Sequence, residues 1–181
     1  MVFVKVIRNT QDDSGYIFRL CRYIIRREYF VYSYGYGVDC KDPATVYEQM
    51  MRVRHYYGKT SGNPLIHYVV SFDDCVQDLK SAIEMSNRIV YFFRGRYQVF
   101  FGIHKQHHKQ SEYHVHILVN SVSYVDGLML QSGYTEVDDF VKQVWSATGR
   151  FTKSKFAEKD EDEEELVEKN KNDDTVPVIV Y

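Results

Sequence analysis

Apolar positions recur along this chain with two different periods, and the switches between them mark its elements. "VFVKVI", residues 2–7, is a short β-branched run that predicts a first strand. "GYIFRLCRYIIRRE", residues 15–28, spaces Ile17, Leu20, Cys21, Ile24 and Ile25 near 3.6 residues and predicts a helix. Its other face carries Arg19, Arg22, Arg26 and Arg27. "YFVYSYGYGVDC" is rich in Tyr and Gly and predicts loop with at most one edge strand. "DPATVYEQMMRVRHYYG" opens with a helix-entry signature, Asp42 as N-cap and Pro43 at the first position, and closes on Gly58. "PLIHYVVSF" predicts a strand with His67 and Ser71 on one face and Ile66, Tyr68, Val70 and Phe72 on the other. "VQDLKSAIEMSNRIVYFF" predicts a helix, "YQVFFGIH" and "YHVHILVNSVS" two strands in an antiparallel hairpin, and "TEVDDFVKQVWSAT" a last helix with Thr135 as N-cap. This order predicts an α+β domain over residues 1–157, a central antiparallel sheet with helices packed mainly on one face.

Composition narrows the class. At 181 residues, with 44% apolar residues, the chain is long enough for one real core and short for two. No stretch approaches the roughly 20 apolar residues of a membrane helix, and "MVFVKVIRNT" lacks the features of a signal peptide. The expected location is cytoplasmic. Cys21, Cys40 and Cys75 are odd in number and widely spaced, which fits free thiols in a reducing compartment. The net charge of −2 hides an asymmetry: residues 158–181 carry 10 acidic residues against 3 lysines, leaving 20 basic against 15 acidic over residues 1–157. A basic body suits a negatively charged partner. The acidic segment has no apolar period and is expected to be a solvated, disordered tail.

The chemistry concentrates in "EYHVHILVN", residues 112–120. Strand alternation puts Val115, Ile117 and Val119 on a core face and His114, His116, Leu118 and Asn120 on the other. The preceding strand ends in His104, so a hairpin can bring a third imidazole to the other two. Three imidazoles can hold a divalent ion and leave positions open for substrate. His107 or His108, in the polar run "KQHHKQSE", is the alternative third ligand, and hydrogen-bonded strand histidines are the plainer reading of the H-x-H pair. For a nucleophile, Tyr23 stands out among 16 tyrosines only because Arg22, Arg26 and Arg27 flank it. Such cations favour a phenolate and would meet phosphate.

Three segments, taken together in this order, resemble the relaxases, or mobilisation nucleases, of plasmids and integrative elements, which belong to the HUH class of tyrosine single-strand DNA endonucleases. "LCRYIIR" is similar to the early nucleophile motif, "YGKTSGNPLIHYVVSF" to a pattern ending in H-x-x-x-S-F, and "GIHKQHHKQSEYHVHILVNSVSYVDG" to the metal-binding motif. The resemblance covers residues 1 to about 130. It implies Tyr23 as catalytic nucleophile and His104, His114 and His116 as ligands of Mg²⁺ or Mn²⁺. His67, Ser71 and Asn120 would support these ligands or contact DNA, together with Arg22, Arg26 and Arg27. The implied reaction is nicking of single-stranded DNA at a transfer origin through a 5′-phosphotyrosine. A monomer is expected, with accessory relaxosome proteins as further partners. One position departs from the pattern: Gln106 stands where the family has an acidic residue. That favours one alternative, a relaxase-derived binding module that does not cut. A metal phosphoesterase using water, which needs the histidines but not Tyr23, is another.

Overall fold

The computed structural model describes residues 1–7, 14–25, 29–105, 113–131 and 133–157. Arg26, Arg27, Gln106, His107, His108 and the acidic segment 158–181 lie outside the described residues. Six strands form one sheet: β1 (Val2–Ile7), β2 (Phe30–Tyr36), β3 (Leu65–Ser71), β4 (Val99–Lys105), β5 (Tyr113–Asn120) and β6 (Thr152–Ala157). Four helices connect them: α1 (Ser14–Ile24), α2 (Pro43–Tyr56), α3 (Leu79–Val90) and α4 (Tyr134–Thr148). The strand order is β2-β4-β5-β3-β1-β6. Neighbours run antiparallel, as expected, except β1 and β6, whose parallel pairing makes the sheet mixed.

The α+β class stands, but the helices divide between both faces. Helices α3 and α4 bury Ala82, Ile89, Val90, Val137, Phe140 and Val144 against a face made of Val4, Tyr68, Phe101 and Ile117. There the rings of Phe140 and Tyr68 lie 4.4 Å apart and those of Phe140 and Phe93 5.2 Å. On the opposite face α1 and α2 set Ile17, Leu20, Ile24, Val46 and Met50 on Leu65, Phe100 and Leu118. The central strands are apolar on both alternations at this end, so each face needs its own cover. A fully buried Ile or Leu contributes about 1.5–3 kcal/mol, which anchors α1 through Ile17, Leu20 and Ile24, each 0% exposed.

Local signals explain most helix ends. The Asp42 side chain accepts from the Thr45 backbone N–H at 2.9 Å, with Pro43 in the first turn, as its position predicts. Asp78 and Ser81 form a reciprocal capping box at α3. Helix α4 begins one residue before Thr135, with Gly133 at the cap, so Thr135 lies inside the helix. Strand β6 was not visible in the apolar pattern because "TKSKFA" buries little beyond Thr152. It is an edge strand held by its pairing with β1, and its lysines suit an exposed edge.

One glycine governs how α1 meets the sheet. A Cβ on Gly102 would stand 2.2 Å from Ile24 Cγ2 and 3.1 Å from the Ile24 carbonyl oxygen. Bare backbone at this point lets the C-terminal end of α1 settle on β4. Gly102→Ala should therefore lift α1 and destabilise the domain by about 1–3 kcal/mol, the usual cost of overpacking. Urea unfolding measures it; an unchanged midpoint would show that α1 can shift freely.

Candidate metal centre and its tyrosine

The face covered by α1 and α2 changes character along the strands. Towards one end it carries Leu65, Phe100 and Leu118, and towards the other His104, His114 and His116. His104 and His114 are direct cross-strand partners, and His116 lies opposite Gly102. All three are buried, and one ring nitrogen from each lies within 4.8 Å of the others. Their ring centroids are 4.5 Å (His104–His116), 4.9 Å (His114–His116) and 5.3 Å (His104–His114) apart. The hairpin thus makes a three-imidazole donor set of the kind that holds a divalent ion with open positions.

Tautomers follow from the partners of two of these rings. His104 Nε2 lies 2.7 Å from the Ile24 carbonyl oxygen. A carbonyl only accepts, so Nε2 carries the proton and Nδ1 is the nitrogen with which His104 would ligate. The same bond satisfies a carbonyl of the last turn of α1. That helix end, with its negative dipole, favours a cation beside it. His116 Nδ1 lies 3.0 Å from His67 Nε2. For His116 to ligate through Nε2, its Nδ1–H must donate to His67 Nε2, and the His67 proton must then sit on Nδ1. His67 is positioned to hold that tautomer.

Tyr23 belongs to the last turn of α1, one residue before Ile24. Its ring stands edge-on to His116 at 5.1 Å and to His104 at 5.5 Å, and the residue is 9% exposed. The Ile24–Gly102 contact thus sets a tyrosine beside two of the three imidazoles, which are remote from it in sequence.

A family model for the MobA/VirD2-like relaxase nuclease domain matches residues 23–145. The chain belongs to this family. Family membership carries its general activity, the nicking of DNA for mobilisation. The relaxase domain is also similar to a solved structure from work on the molecular basis of vancomycin resistance transfer in Staphylococcus aureus. The TM-score is 0.56 and the identity 9%, with 100% of each chain covered, a likeness of fold. No curated protein matches the sequence.

The remaining expected residues fall into three groups. His67 joins the cluster through His116, and Ser71 pairs across the sheet with His114 at its rim. Arg22 lies on α1 next to Tyr23, with its guanidinium over the Phe18 ring at 5.9 Å. Asn120 is not brought to the cluster. It lies four residues beyond His116, about 13 Å along the strand. There its Nδ2 donates to the Met50 carbonyl at 3.0 Å and to Gln98 Oε1 at 2.9 Å, while its Oδ1 accepts from the Val122 N–H at 3.2 Å. It ties β5 to α2 and β4.

Sequence reasoning missed Lys5. It pairs with Val69, which pairs with His116, so one row across the sheet runs from Lys5 to the cluster. Lys155 is the partner of Lys5 on β6, and Lys153 the partner of Phe3. Val2, Val4 and Val6 occupy the opposite core face, so these three lysines share the histidine face. The available signal was a lysine in the middle of an otherwise apolar strand.

Burial pushes the His116 imidazole well below its ordinary value, and His104, His114, His67 and Lys5 push it in the same direction. The unfolded chain takes up this proton as pH falls through about 6.5, whereas the folded chain does not. Stability linked to His116 is therefore complete above that pH and falls away below it, by up to about 1.4 kcal/mol per pH unit for one proton. Urea midpoints of metal-free protein at pH 7.5 and 5.5 should show this fall, and His116→Gln should reduce it. An unchanged slope in the variant would mean that His116 titrates alike in both states.

Proposed function

We propose that this relaxase domain nicks single-stranded DNA at a transfer origin by transesterification, with Tyr23 as nucleophile. The observation that carries the reading is the placement of Tyr23 over His104 and His116 at 5.5 and 5.1 Å. His104, His114 and His116 fit a divalent ion, since all three are buried and one ring nitrogen from each converges on the same point. Of Mg²⁺ and Mn²⁺, an all-nitrogen donor set suits the less hard Mn²⁺. Such an ion, when bound, polarises the scissile phosphate.

The protein's own groups supply the rest. The phenolic oxygen of Tyr23 attacks phosphorus as the bond to the 3′-oxygen breaks. The phenolic proton passes to solvent, and the departing 3′-oxygen ends protonated. The products are a 5′-phosphotyrosine and a free 3′-OH, so the number of phosphodiester linkages is conserved for rejoining. Lys5, Lys153 and Lys155 receive flanking phosphates on the same face. Arg22 serves the strand from α1, Arg26 and Arg27 contribute further positive charge for the DNA, and His67 holds His116 in its ligating tautomer. In this reading the enzyme is a cytoplasmic monomer that mobilises a plasmid or integrative element and works with relaxosome proteins. No helix among the described residues is long and apolar enough to cross a membrane.

Three substitutions separate the roles, using labelled single strands from the protein's own transfer origin with Mg²⁺ or Mn²⁺. Tyr23→Phe should keep metal and DNA affinity and lose the covalent protein–DNA adduct. His116→Ala should lose metal affinity and cutting together. His67→Ala should weaken metal binding about 10- to 100-fold, as loss of an outer-shell partner does. Cutting by wild type without an adduct would instead support the water-using phosphoesterase. Strand binding without cutting under either metal would support the non-cutting module.

A further inference from the structure

The opposite face of the sheet carries a second feature of the same chemical kind, at the edge strand β2. Tyr32, Tyr34 and Tyr36 occupy alternate positions and pair with Ile103, Phe101 and Val99, so they share the face covered by α3 and α4. Tyr34 is 45% exposed, and its ring lies 5.2 Å from that of Tyr36. Next to Tyr36 opens a groove of about 480 Å³ whose lining includes Arg88, Tyr91, Arg94 and Gln143.

This groove is built rather than accidental. Tyr36 Oη donates to Asn87 Oδ1 at 2.7 Å, and Asn87 Nδ2 donates to the Ile83 carbonyl at 3.0 Å, so the tyrosine hydroxyl is held by an amide that is itself anchored to α3. Gln143 Nε2 donates to the Arg88 carbonyl at 2.8 Å and joins α4 to α3. The Arg94 guanidinium lies over two aromatic rings, 5.4 Å from Tyr36 and 5.8 Å from Tyr91. No acidic residue lines the groove, and neither Arg88 nor Arg94 forms an ion pair among the described residues.

We propose that the Tyr34–Tyr36–Arg94–Tyr91 surface is a second binding track for single-stranded nucleic acid. This rests on the reading of the histidine face as a single-strand site. Exposed tyrosine rings offer stacking surfaces to unpaired bases, and two guanidiniums that pair with no carboxylate among the described residues offer contacts to phosphate. A duplex keeps its base faces stacked inside and cannot use the rings, so the chemistry selects a single strand. Val99, across from Tyr36, and His104 stand at opposite ends of β4, about 17 Å apart along the strand. A strand leaving the metal centre and rounding the β2 edge would therefore reach this groove, where it would be held away from the reacting phosphate.

The test uses the full chain and a fluorescent oligothymidine of about 24 nucleotides, long enough to span both faces of the sheet edge. Anisotropy is followed over a salt series. Tyr91 is 64% exposed and Arg94 is also exposed, so the double variant Tyr91→Ala/Arg94→Ala is expected to fold as wild type. It should bind about tenfold more weakly, and its log–log salt slope should fall by about 0.7 for each phosphate that the variant leaves without a cation. Arg94→Lys in a wild-type background should keep the salt slope and lose part of the affinity, because ammonium retains the charge without the stacked plane. Unchanged affinity and slope in the double variant, with wild type still binding the strand, would overturn this track and leave the histidine-face reading standing. A wild type that binds oligothymidine no better than duplex would overturn both. Altered self-association of the double variant with unaltered strand binding would make the groove a protein interface, and the proposal would fail.

Discussion

The close approach of α1 to β4 at Gly102 is the contact on which the site depends. Without a Cβ at that position, Ile24 lies directly on the strand backbone. The Ile24 carbonyl then reaches His104, and Tyr23, one residue earlier, reaches the imidazoles. One steric fact thereby joins a helix end and two strands separated by some 80 residues. The helix contributes a carbonyl that selects a tautomer, a dipole end that welcomes a cation and a phenol beside both.

The histidine face brings imidazoles and lysines to one side of the sheet. His116 is buried and held neutral by its surroundings, and Lys5 lies in the same row. In the proposed reading, a divalent ion on the three imidazoles would supply the positive charge that His116 does not carry, and the lysines would lie on the same face as a bound phosphate. The bond between His67 and His116 adds direction, because the proton between them decides which nitrogen faces the cluster. A buried histidine pair of this kind has little value as packing. In the proposed reading it serves to keep the His116 ring in one tautomer.

Strand and helix identities were mostly legible in the sequence because their periods are strong. The runs around Val70 and Val115 alternate cleanly, and Asp42–Pro43 marks a helix start by its own backbone chemistry. Strand β6 was not legible, since its residues bury little and its place comes from pairing with β1. The division of helices between two faces was equally hidden. Leu65, Phe100 and Leu118 read as ordinary strand residues until their common side is known. Asn120 shows the reverse case: the family resemblance implied a share in the site, but its amide bonds to Met50, Gln98 and Val122 away from the cluster.

By itself, the sequence determined which residue types were available and on which face of its own strand each would lie, because alternation is local geometry. It placed His114 and His116 together and made His104 their expected neighbour across a hairpin. It singled out Tyr23 through its arginine neighbours alone. The meeting of Tyr23 with the imidazoles, the role open to His67 and the alignment of Lys5 with Lys155 were decided only by the tertiary structure. Each depends on strand order, register and the seating of a helix. Those are set by packing and backbone pairing across the whole sheet, and no short stretch of sequence carries them.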